Sequence, residues 1–350
     1  MKILHVLNSN QFSGAENVVC QIAGMFSDVP EVQMVYCSPD GQIRQALAER
    51  MISFAPVSNM TVSELKRVIQ EQNPGIIHAH DMRASFIAAL ACGKLPLISH
   101  IHNNAFDSRS FSLKSIAYLY AAKKAKHIFW VSQSSFEGYG FHRFFEKKST
   151  VLYNIVDMDE LYARMELDTQ TYDYDVTYLG RLTYPKNPQR LMKIFRLLKE
   201  KMSDIKIAVI GTGDLEAETK SLAAEYKLTG NVEFLGFRSN PLKILHDSKV
   251  MIMTSRWEGT PMCALEAMSL SVPIVSTAVD GLRDLVVNGE NGFLSDQDEE
   301  IADQITDILC DDSLHKRYAE KALEKAKLFN DKELYKSKIY DVWCKSIEKG

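Results

Sequence analysis

The feature that most constrains the fold of this chain is a regular alternation of short apolar runs with longer segments of helical period. In the first half, the apolar runs are rich in β-branched and aromatic residues and are predicted strands, at residues 2–7, 32–37, 76–78, 96–101 and 127–131. Between the first two runs, Val18, Val19, Ile22 and Phe26 share one side of a predicted helix. Because strand–helix alternation needs crossover connections, it predicts a parallel α/β sheet.

The same rhythm begins again after a polar stretch, residues 157–175, that has no strong period. The second set of predicted strands lies at residues 176–179, 205–210, 232–235, 250–253 and 273–276, with helices beginning at Asn187, Asp214 and Met262. A chain of 350 residues is too long for one ordinary core. The sequence therefore predicts two α/β domains, residues 1–165 and 166–330.

The last segment, residues 331–350, is predicted to be one helix with an apolar stripe. The stripe consists of Tyr335, Ile339, Val342, Trp343 and Ile347. A terminal helix this apolar must pack on something, and we expect it to return toward the first domain.

Composition narrows the class of protein. The chain is 46% hydrophobic and 25% charged, which is typical of a folded globular protein. No apolar run reaches membrane-spanning length and the start lacks a signal-peptide core, so we expect a cytoplasmic protein. Residues 1–150 carry 15 Lys+Arg and 11 Asp+Glu although the whole chain has a net charge of -4, and this asymmetry favours a partner surface on the first domain.

The segment most informative about chemistry follows the predicted strand 250–253. Gly259 allows a tight turn and Pro261 suits the first position of a helix, so the amides of Thr260, Met262 and Cys263 are expected to point beyond the strand end. The start of a helix there favours an anion such as a diphosphate.

Two acids flank this helix start. Glu258 precedes the helix and Glu266 lies about one and a half turns inside it, so that each can reach a different part of one ligand. The alternative is a surface loop with an N-cap glutamate and a solvated helix glutamate. The strand–turn–helix frame favours the binding site.

This segment resembles the E-x7-E motif of the family 4 retaining glycosyltransferases, and the resemblance extends over nearly the whole chain. Further matches are the loop around Gly14 in Ser13–Glu16, the strand end His102-Asn103, the turn 153–157, the pair Arg181 and Lys186, the loops 210–213 and 234–237, and the signature 289–294. The resemblance implies the GT-B fold, which is two Rossmann-like domains facing a central cleft, with an N-terminal acceptor-binding and a C-terminal nucleotide-sugar-binding domain.

The resemblance also implies roles for individual residues. Glu266 would hold the ribose hydroxyls, Glu258 and His102 the donor sugar, and Arg181 and Lys186 the diphosphate. Two cations and helix amides can stabilise the leaving nucleotide, so no metal or other cofactor is expected. The donor loops would be completed by Gly14, Gly211, Gly236, Phe237, Gly259, Thr260, Pro261, Met262 and Cys263. Gly14 would allow its loop to approach the phosphates, although a simple turn is an equal alternative. For His102, the equal alternative is a strand-end histidine whose hydrogen bonds are satisfied by the backbone.

Two departures from the family pattern concern loops. Ser13 stands where glycine is usual, which is expected to narrow the donor loop. The segment 279–284 stands where the family has Gly-Gly-x-Pro-Glu, with Arg283 in the place of proline and Asp284 in the place of glutamate.

Three other motifs are interpreted as incidental. The D-x-D sequences at 157–159 and 173–175 lie in the polar stretch and not after a nucleotide-binding strand. The pair Gly211 and Gly213 lacks the third glycine of a dinucleotide fingerprint. His78 and His80 suggest a metal cluster by composition, but further ligands are not evident in the sequence, which favours a loop at the rim of the cleft.

A basic and aromatic segment, residues 114–148, suggests docking on an anionic membrane surface. Its second half holds the adjacent Phe144 and Phe145 among Arg143, Lys147 and Lys148. A charged helix face over a buried aromatic core is the alternative, and it is favoured for the first half of the segment.

The sequence thus predicts a retaining glycosyltransferase that moves a sugar from a nucleotide-sugar donor, expected to be a UDP-sugar, to a lipid-linked or polymeric saccharide. The context expected by analogy is bacterial cell-surface polysaccharide synthesis, such as capsule. No nucleic-acid partner is expected. The rival hypotheses are a non-catalytic nucleotide-sugar-binding partner of another transferase and a sugar-nucleotide epimerase on the same fold.

Overall fold

The computed structural model describes residues 1–11, 14–102 and 112–348. The described chain divides into two compact units, Met1–Ile155 with Asp331–Gly350, and Val156–Asn330. Each unit is a parallel sheet with helices, as the alternation predicts.

The first unit contains a seven-stranded parallel sheet in the order β3-β2-β1-β4-β5-β6-β7. Its strands are β1 Lys2–Val6, β2 Gln33–Cys37, β3 Ser53–Phe54, β4 Ile76–His80, β5 Leu97–Ile101, β6 His127–Trp130 and β7 Ser149–Val151. Its helices are α1 Gly14–Met25, α2 Ile43–Glu49, α3 Val62–Gln72, α4 Asp81–Ala91, α5 Leu113–Lys124 and α6 Gln133–Gly138, with a 3-10 helix at His142–Lys148. The inner strands β4 and β5 are buried at every residue, which is expected of a sheet covered on both faces.

The second unit repeats this topology with six parallel strands in the order β10-β9-β8-β11-β12-β13. Its strands are β8 Val176–Leu179, β9 Ile207–Ile210, β10 Val232–Gly236, β11 Val250–Met253, β12 Ile274–Ser276 and β13 Gly292–Leu294. Its helices are α7 Met158–Glu166, α8 Pro188–Lys201, α9 Glu216–Glu225, α10 Leu242–His246, α11 Met262–Ser269, α12 Leu282–Leu285, α13 Asp298–Cys310 and α14 Asp312–Phe329, with a 3-10 helix at Tyr184–Lys186. The order reverses between β8 and β11, and ligands of doubly wound sheets bind beyond the carboxyl ends of the strands at such a switch point.

The terminal helix α15, Lys332–Glu348, belongs to the first unit, which confirms the predicted return of the chain. Trp343 is fully buried, packs with its ring centroid 4.8 Å from that of Phe26 in the first unit, and donates its indole N–H to His78 Nδ1 at 3.3 Å. The predicted stripe is buried at Tyr335, Ile339 and Trp343, whereas Ile347 in the last turn is exposed.

The boundary between the units falls at residue 155 and not at 165, because the polar stretch contains an unpredicted helix, α7. Asp157 caps this helix by accepting the amide N–H of Glu160 at 3.2 Å, and Leu161 is its buried residue. Since α7 packs against α10, it belongs to the second unit.

Candidate functional site

The sequence-predicted residues of the second unit cluster at its switch point. Arg181 lies just beyond the end of β8, and Glu258 lies in the loop after β11, the neighbouring strand. Parallel strands end at the same edge of the sheet, so the fold alone brings these two loops together.

Lys186 and Glu258 form an ion pair at this edge. The Lys186 Nζ donates to Glu258 Oε1 at 2.5 Å, and the Ser255 hydroxyl donates to the same oxygen at 2.5 Å. The Glu258 side chain is only 9% exposed and that of Lys186 is 18% exposed. Two residues separated by more than seventy positions therefore share one charged, largely buried site.

The electrostatics of this pair favour the charged lysine. Burial lowers the pKa of Lys186, but attraction to the Glu258 carboxylate outweighs this effect and the pKa is raised overall. The nearby Arg181 opposes that rise. Arg181 is itself exposed, so the site presents one fixed and one solvent-facing cation.

Side-chain contacts connect the two loops that carry Lys186 and Glu258. The hydroxyl of Thr254 donates to the carbonyls of Lys186 and Asn187, at 3.0 and 3.2 Å. Arg256 packs 4.4 Å from the ring centroid of Tyr184 and donates to Asn187 Oδ1 at 2.9 Å. These contacts connect the loop after β11 to the start of α8.

The loop 279–284, which departs from the family pattern, contacts the backbone of Glu258 and Gly259. Asp280 Oδ2 accepts the amide N–H of Glu258 at 3.3 Å. A Cβ atom on Gly281 would lie 1.5 Å from the carbonyl oxygen of Gly259, so only glycine allows this approach. The sequence analysis assigned no role to Asp280 or Gly281, because the contact is a tertiary one.

The helix after Glu258 begins at the predicted residue, although Pro261 is not at its first helical position. Pro261 occupies the N-cap with extended backbone, and Met262 is the first helical residue of α11. The amides of Met262 and Cys263 have no acceptor within the helix, as for the first residues of any helix. Gly259 and Thr260 are buried, whereas Cys263 is half-buried and burial raises the pKa of its thiol to about 12.

Glu266 lies on α11 and is half-buried. Burial raises the pKa of its carboxyl group, and Arg164 partly opposes the rise. A carboxylate whose hydration is reduced in this way gains from hydroxyl donors, such as those of a ribose.

Two glycine loops complete this edge of the sheet. Gly211 has a φ of +132°, and a Cβ there would lie 2.0 Å from the carbonyl oxygen of Gly180. Gly236, at φ +66°, accepts the amide N–H of Gly211 at 2.8 Å. The following Phe237 is exposed, which leaves an aromatic face available to a ligand.

The first unit holds Gly14 and His102. Gly14 is the first residue of α1, and a Cβ there would meet no atom of the described residues within 4 Å. The neighbouring Ser13, and Asn103 beyond His102, lie outside the described residues.

His102 follows β5 and is half-buried. Its amide N–H donates to Asp81 Oδ1 at 2.9 Å, and its Nε2 lies 2.8 Å from His80 Nδ1. Burial lowers the pKa of the His102 ring to about 3, so the ring is neutral at physiological pH.

The interpretation of His78 and His80 as a loop at a cleft rim is wrong, because both are fully buried residues of β4. Adjacent parallel strands add His5, His100 and His102 to them. One nitrogen from each ring of His5, His78 and His80, and likewise of His80, His100 and His102, lies within 4.8 Å of the others, a spacing that metal ligands could use.

The D-x-D motifs have structural contacts. Asp157 caps α7, and Asp173 pairs with Lys206 at 2.5 Å. Asp175 accepts the amide N–H of Lys206 at 3.0 Å and pairs with Lys249 at 2.9 Å.

Two family models match successive parts of the chain. The model described as Glycosyltransferase Family 4 matches residues 12–160, and the model described as Glycosyl transferases group 1 matches residues 163–325. This chain belongs to the family 4 glycosyltransferases. It is therefore a glycosyltransferase of the hexosyltransferase type, and the predicted family is confirmed.

Relatives of this family 4 glycosyltransferase include a UDP-Gal:alpha-D-GlcNAc-diphosphoundecaprenol alpha-1,3-galactosyltransferase of Escherichia coli, 24% identical over 84% of this chain and 84% of the relative. An uncharacterized glycosyltransferase of Methanocaldococcus jannaschii is 26% identical over 78% of this chain and 80% of the relative. Among solved structures, HepE of Anabaena in complex with UDP-glucose matches with a TM-score of 0.85 at 23% identity, over 99% of this chain and 100% of that chain. This structural likeness supports the GT-B fold.

Proposed function

We propose that this glycosyltransferase transfers a sugar from a UDP-sugar, with retention of configuration, to a saccharide carried on a lipid diphosphate or a polymer. In this proposal the second unit binds the donor and the first unit binds the acceptor. The observation that carries it is the pair of Lys186 with Glu258 at the switch point, beside Arg181 and the start of α11. The Escherichia coli relative acts on a diphosphoundecaprenol-linked acceptor, and HepE binds UDP-glucose, which supports the substrate classes.

The site residues divide by the charge that each can offer. Arg181 and Lys186 supply cations for the diphosphate, and the amides at the start of α11 supply donors. Glu258 would exchange its contact with Lys186 for hydroxyls of the sugar, while Glu266 would accept from the ribose. The donor phosphate would help to deprotonate the acceptor.

Glu266→Ala is expected to weaken UDP binding by about 1–3 kcal/mol, because a hydrogen bond to a charged group is lost. Isothermal calorimetry with UDP measures the change directly. Glu225→Ala, which removes an exposed glutamate from α9 of the same unit, is the matched control and should leave the affinity unchanged. Equal affinity of the Glu266→Ala variant and the parent would contradict the ribose role.

Activity is expected to survive EDTA, since cationic side chains and helix amides already cover the diphosphate in this proposal. Turnover should be compared before and after chelation and after addition of manganese or magnesium. Complete loss on chelation with recovery on either cation would instead assign a metal to the donor site.

Docking of the first unit on an anionic membrane is the remaining part of the proposal. The residues proposed to contact the membrane are revised here according to their exposure. Phe145 is buried in the core, and Lys148 donates to the carbonyl of Ala125 at 2.6 Å, so neither faces a membrane. Phe144 is 79% exposed. The apolar stripe on α5 adds three exposed residues at helical spacing among lysines, namely Leu113, Ile116 and Tyr120.

Phe144→Ser combined with Ile116→Ser is expected to reduce co-sedimentation with phosphatidylglycerol vesicles, because apolar insertion is lost while the lysines remain. Binding by the parent should fall as salt rises. Leu167→Ser, at a residue equally exposed in the second unit, should leave binding unchanged. Binding that ignores lipid charge, or no binding by the parent, would return this face to an ordinary solvated surface.

Among the described residues, the helices include none that combines the length and the apolar character needed to cross a bilayer.

A further inference from the structure

One side chain of the second unit, that of Arg164 on α7, interacts with two parts of the candidate donor site that are remote in sequence. The first is the loop 237–240, which follows β10. The guanidinium of Arg164 donates to the carbonyl of Ser239 at 3.3 Å. In the opposite direction, the side-chain amide of Asn240 donates to the carbonyl of Arg164 at 2.6 Å. Two hydrogen bonds therefore tie this loop to α7.

The position of the loop 237–240 depends on such contacts. The loop follows Gly236, which has a left-handed backbone at φ +66°, and residues 237–239 are exposed. Its strand, β10, lies at the edge of the sheet. An exposed loop opens easily unless a neighbouring element holds its backbone. The two bonds to Arg164 therefore help to fix Phe237, whose exposed ring is available to a ligand.

The helix α7 is also bonded to the helix that carries Glu266. The hydroxyl of Tyr162 on α7 donates at 2.8 Å to the carbonyl of Ser269, the last residue of α11. Since α7 is bonded both to α11 and to the loop after β10, it fixes the position of that loop relative to Glu266.

The second part of the site on which Arg164 acts is Glu266 itself. Burial raises the pKa of the Glu266 carboxyl group, and the positive charge of Arg164 lowers it again in part. The thiol of Cys263, one turn earlier on α11, also interacts with Glu266, but burial raises the pKa of this thiol to about 12. The thiol is therefore neutral at physiological pH, whereas the arginine is charged and favours the carboxylate form of Glu266.

We infer that Arg164 is a positioning residue for the nucleoside part of the donor, because it holds the loop after β10 in place relative to α11 and stabilises the negative charge of Glu266. The inference rests on the proposed function, in which Glu266 accepts the ribose hydroxyls. Contacts to the nucleoside are the same before and during transfer, since the bond that breaks lies at the far end of the diphosphate. Their loss should therefore raise the donor KM and leave kcat close to that of the parent.

Arg164→Met is expected to weaken UDP binding at neutral pH by about 3- to 10-fold, the effect of one weakened hydrogen bond to the ribose. Calorimetry with UDP measures this change, and the donor KM should rise by a similar factor. Arg196→Met is the matched control, because Arg196 is an exposed arginine of the same unit that pairs with Glu200 on its own helix. It should leave the UDP affinity and the KM unchanged.

The pH dependence of UDP binding tests the charge of Arg164 separately. Because the ribose hydroxyls donate to the carboxylate of Glu266, affinity should fall as the pH decreases through the pKa of this group. Without the arginine that pKa is higher, so Arg164→Met should lose affinity at a higher pH than the parent. The ratio of variant to parent affinity at each pH cancels the protonation of UDP itself. Arg164→Lys, which retains the charge, should restore the parental pH dependence.

The double variant Arg164→Met with Glu266→Ala isolates the carboxylate. It should show the same pH dependence as Glu266→Ala alone, because the titrating group has been removed. If the parent binds UDP and Arg164→Met retains both its affinity and its pH dependence, the inference is overturned and the proposed function stands. A parent that binds no UDP would instead contradict the proposed function. A loss of affinity that only follows the unfolded fraction in thermal melts, with no shift along the pH axis, would show that Arg164 merely stabilises the fold and would overturn the inference.

Discussion

Arg181→Ala is expected to lower kcat by about 100- to 1,000-fold, the cost of removing one preorganised electrostatic donor from a site where charge develops. In the proposed reaction the leaving UDP gains negative charge as the sugar–phosphate bond breaks. A cation aimed at that charge is worth more in the transition state than with bound donor, so kcat should fall and the donor KM should not merely rise. Arg181 is exposed, and this substitution should leave the melting temperature close to that of the parent.

Lys186→Ala is expected to reduce kcat by a similar factor, but with a cost in stability. It leaves the Glu258 carboxylate buried without its cation, and breaking a buried pair costs about 3–5 kcal/mol. Turnover must therefore be measured per folded molecule, with thermal unfolding recorded in parallel. The double variant should fall short of the sum of the two single effects, because both cations act on one diphosphate.

Lys206→Ala is the matched control for these substitutions. It removes a lysine from an exposed ion pair with Asp173 in the same unit and should preserve kcat. A non-catalytic binding partner would show no turnover in the parent. If both single variants keep the parental kcat, the diphosphate site must be sought at the start of α11 alone.

Gly281→Ala is expected to abolish most activity without touching any charged residue. The added Cβ would overlap the carbonyl oxygen of Gly259, at 1.5 Å, so the backbone that follows Glu258 must move. Forcing an extra carbon into a packed site typically costs about 1–3 kcal/mol of stability. A displacement of about 1 Å at a catalytic group costs on the order of 100-fold in rate.

For the Gly281→Ala variant, UDP affinity is measured by calorimetry and kcat is measured per folded molecule. Gly230→Ala is the control, because a Cβ at that glycine of the same unit meets nothing within 4 Å. Parental turnover in Gly281→Ala would show that the loop after β12 does not position Glu258.

The strands that sequence analysis missed are short and lie at sheet edges. They are β3, β7 and β13, which have two or three residues each. A run this short carries no readable period, and it becomes a strand only because a longer neighbour supplies hydrogen-bond partners. The helix α7 was missed for a related reason, since its one buried residue, Leu161, gives no apolar stripe.

The sequence by itself determined the repeated α/β architecture, because periodicity is written locally in each strand and helix. It also determined the candidate residues Arg181, Lys186, Glu258 and Glu266, whose order along the chain matches the family. Only the tertiary structure decided which of them meet, since the Lys186–Glu258 pair depends on the order of β8 and β11 in the sheet.

The tertiary structure alone also revealed two sets of contacts, one in the loop that follows β12 and one among buried histidines of the first unit. The approach of Gly281 to Gly259 and the alignment of His5, His80 and His102 join segments that are remote in sequence. Parallel strands align side chains across the sheet by register, and register is set by the packing of both faces and not by any local run of residues.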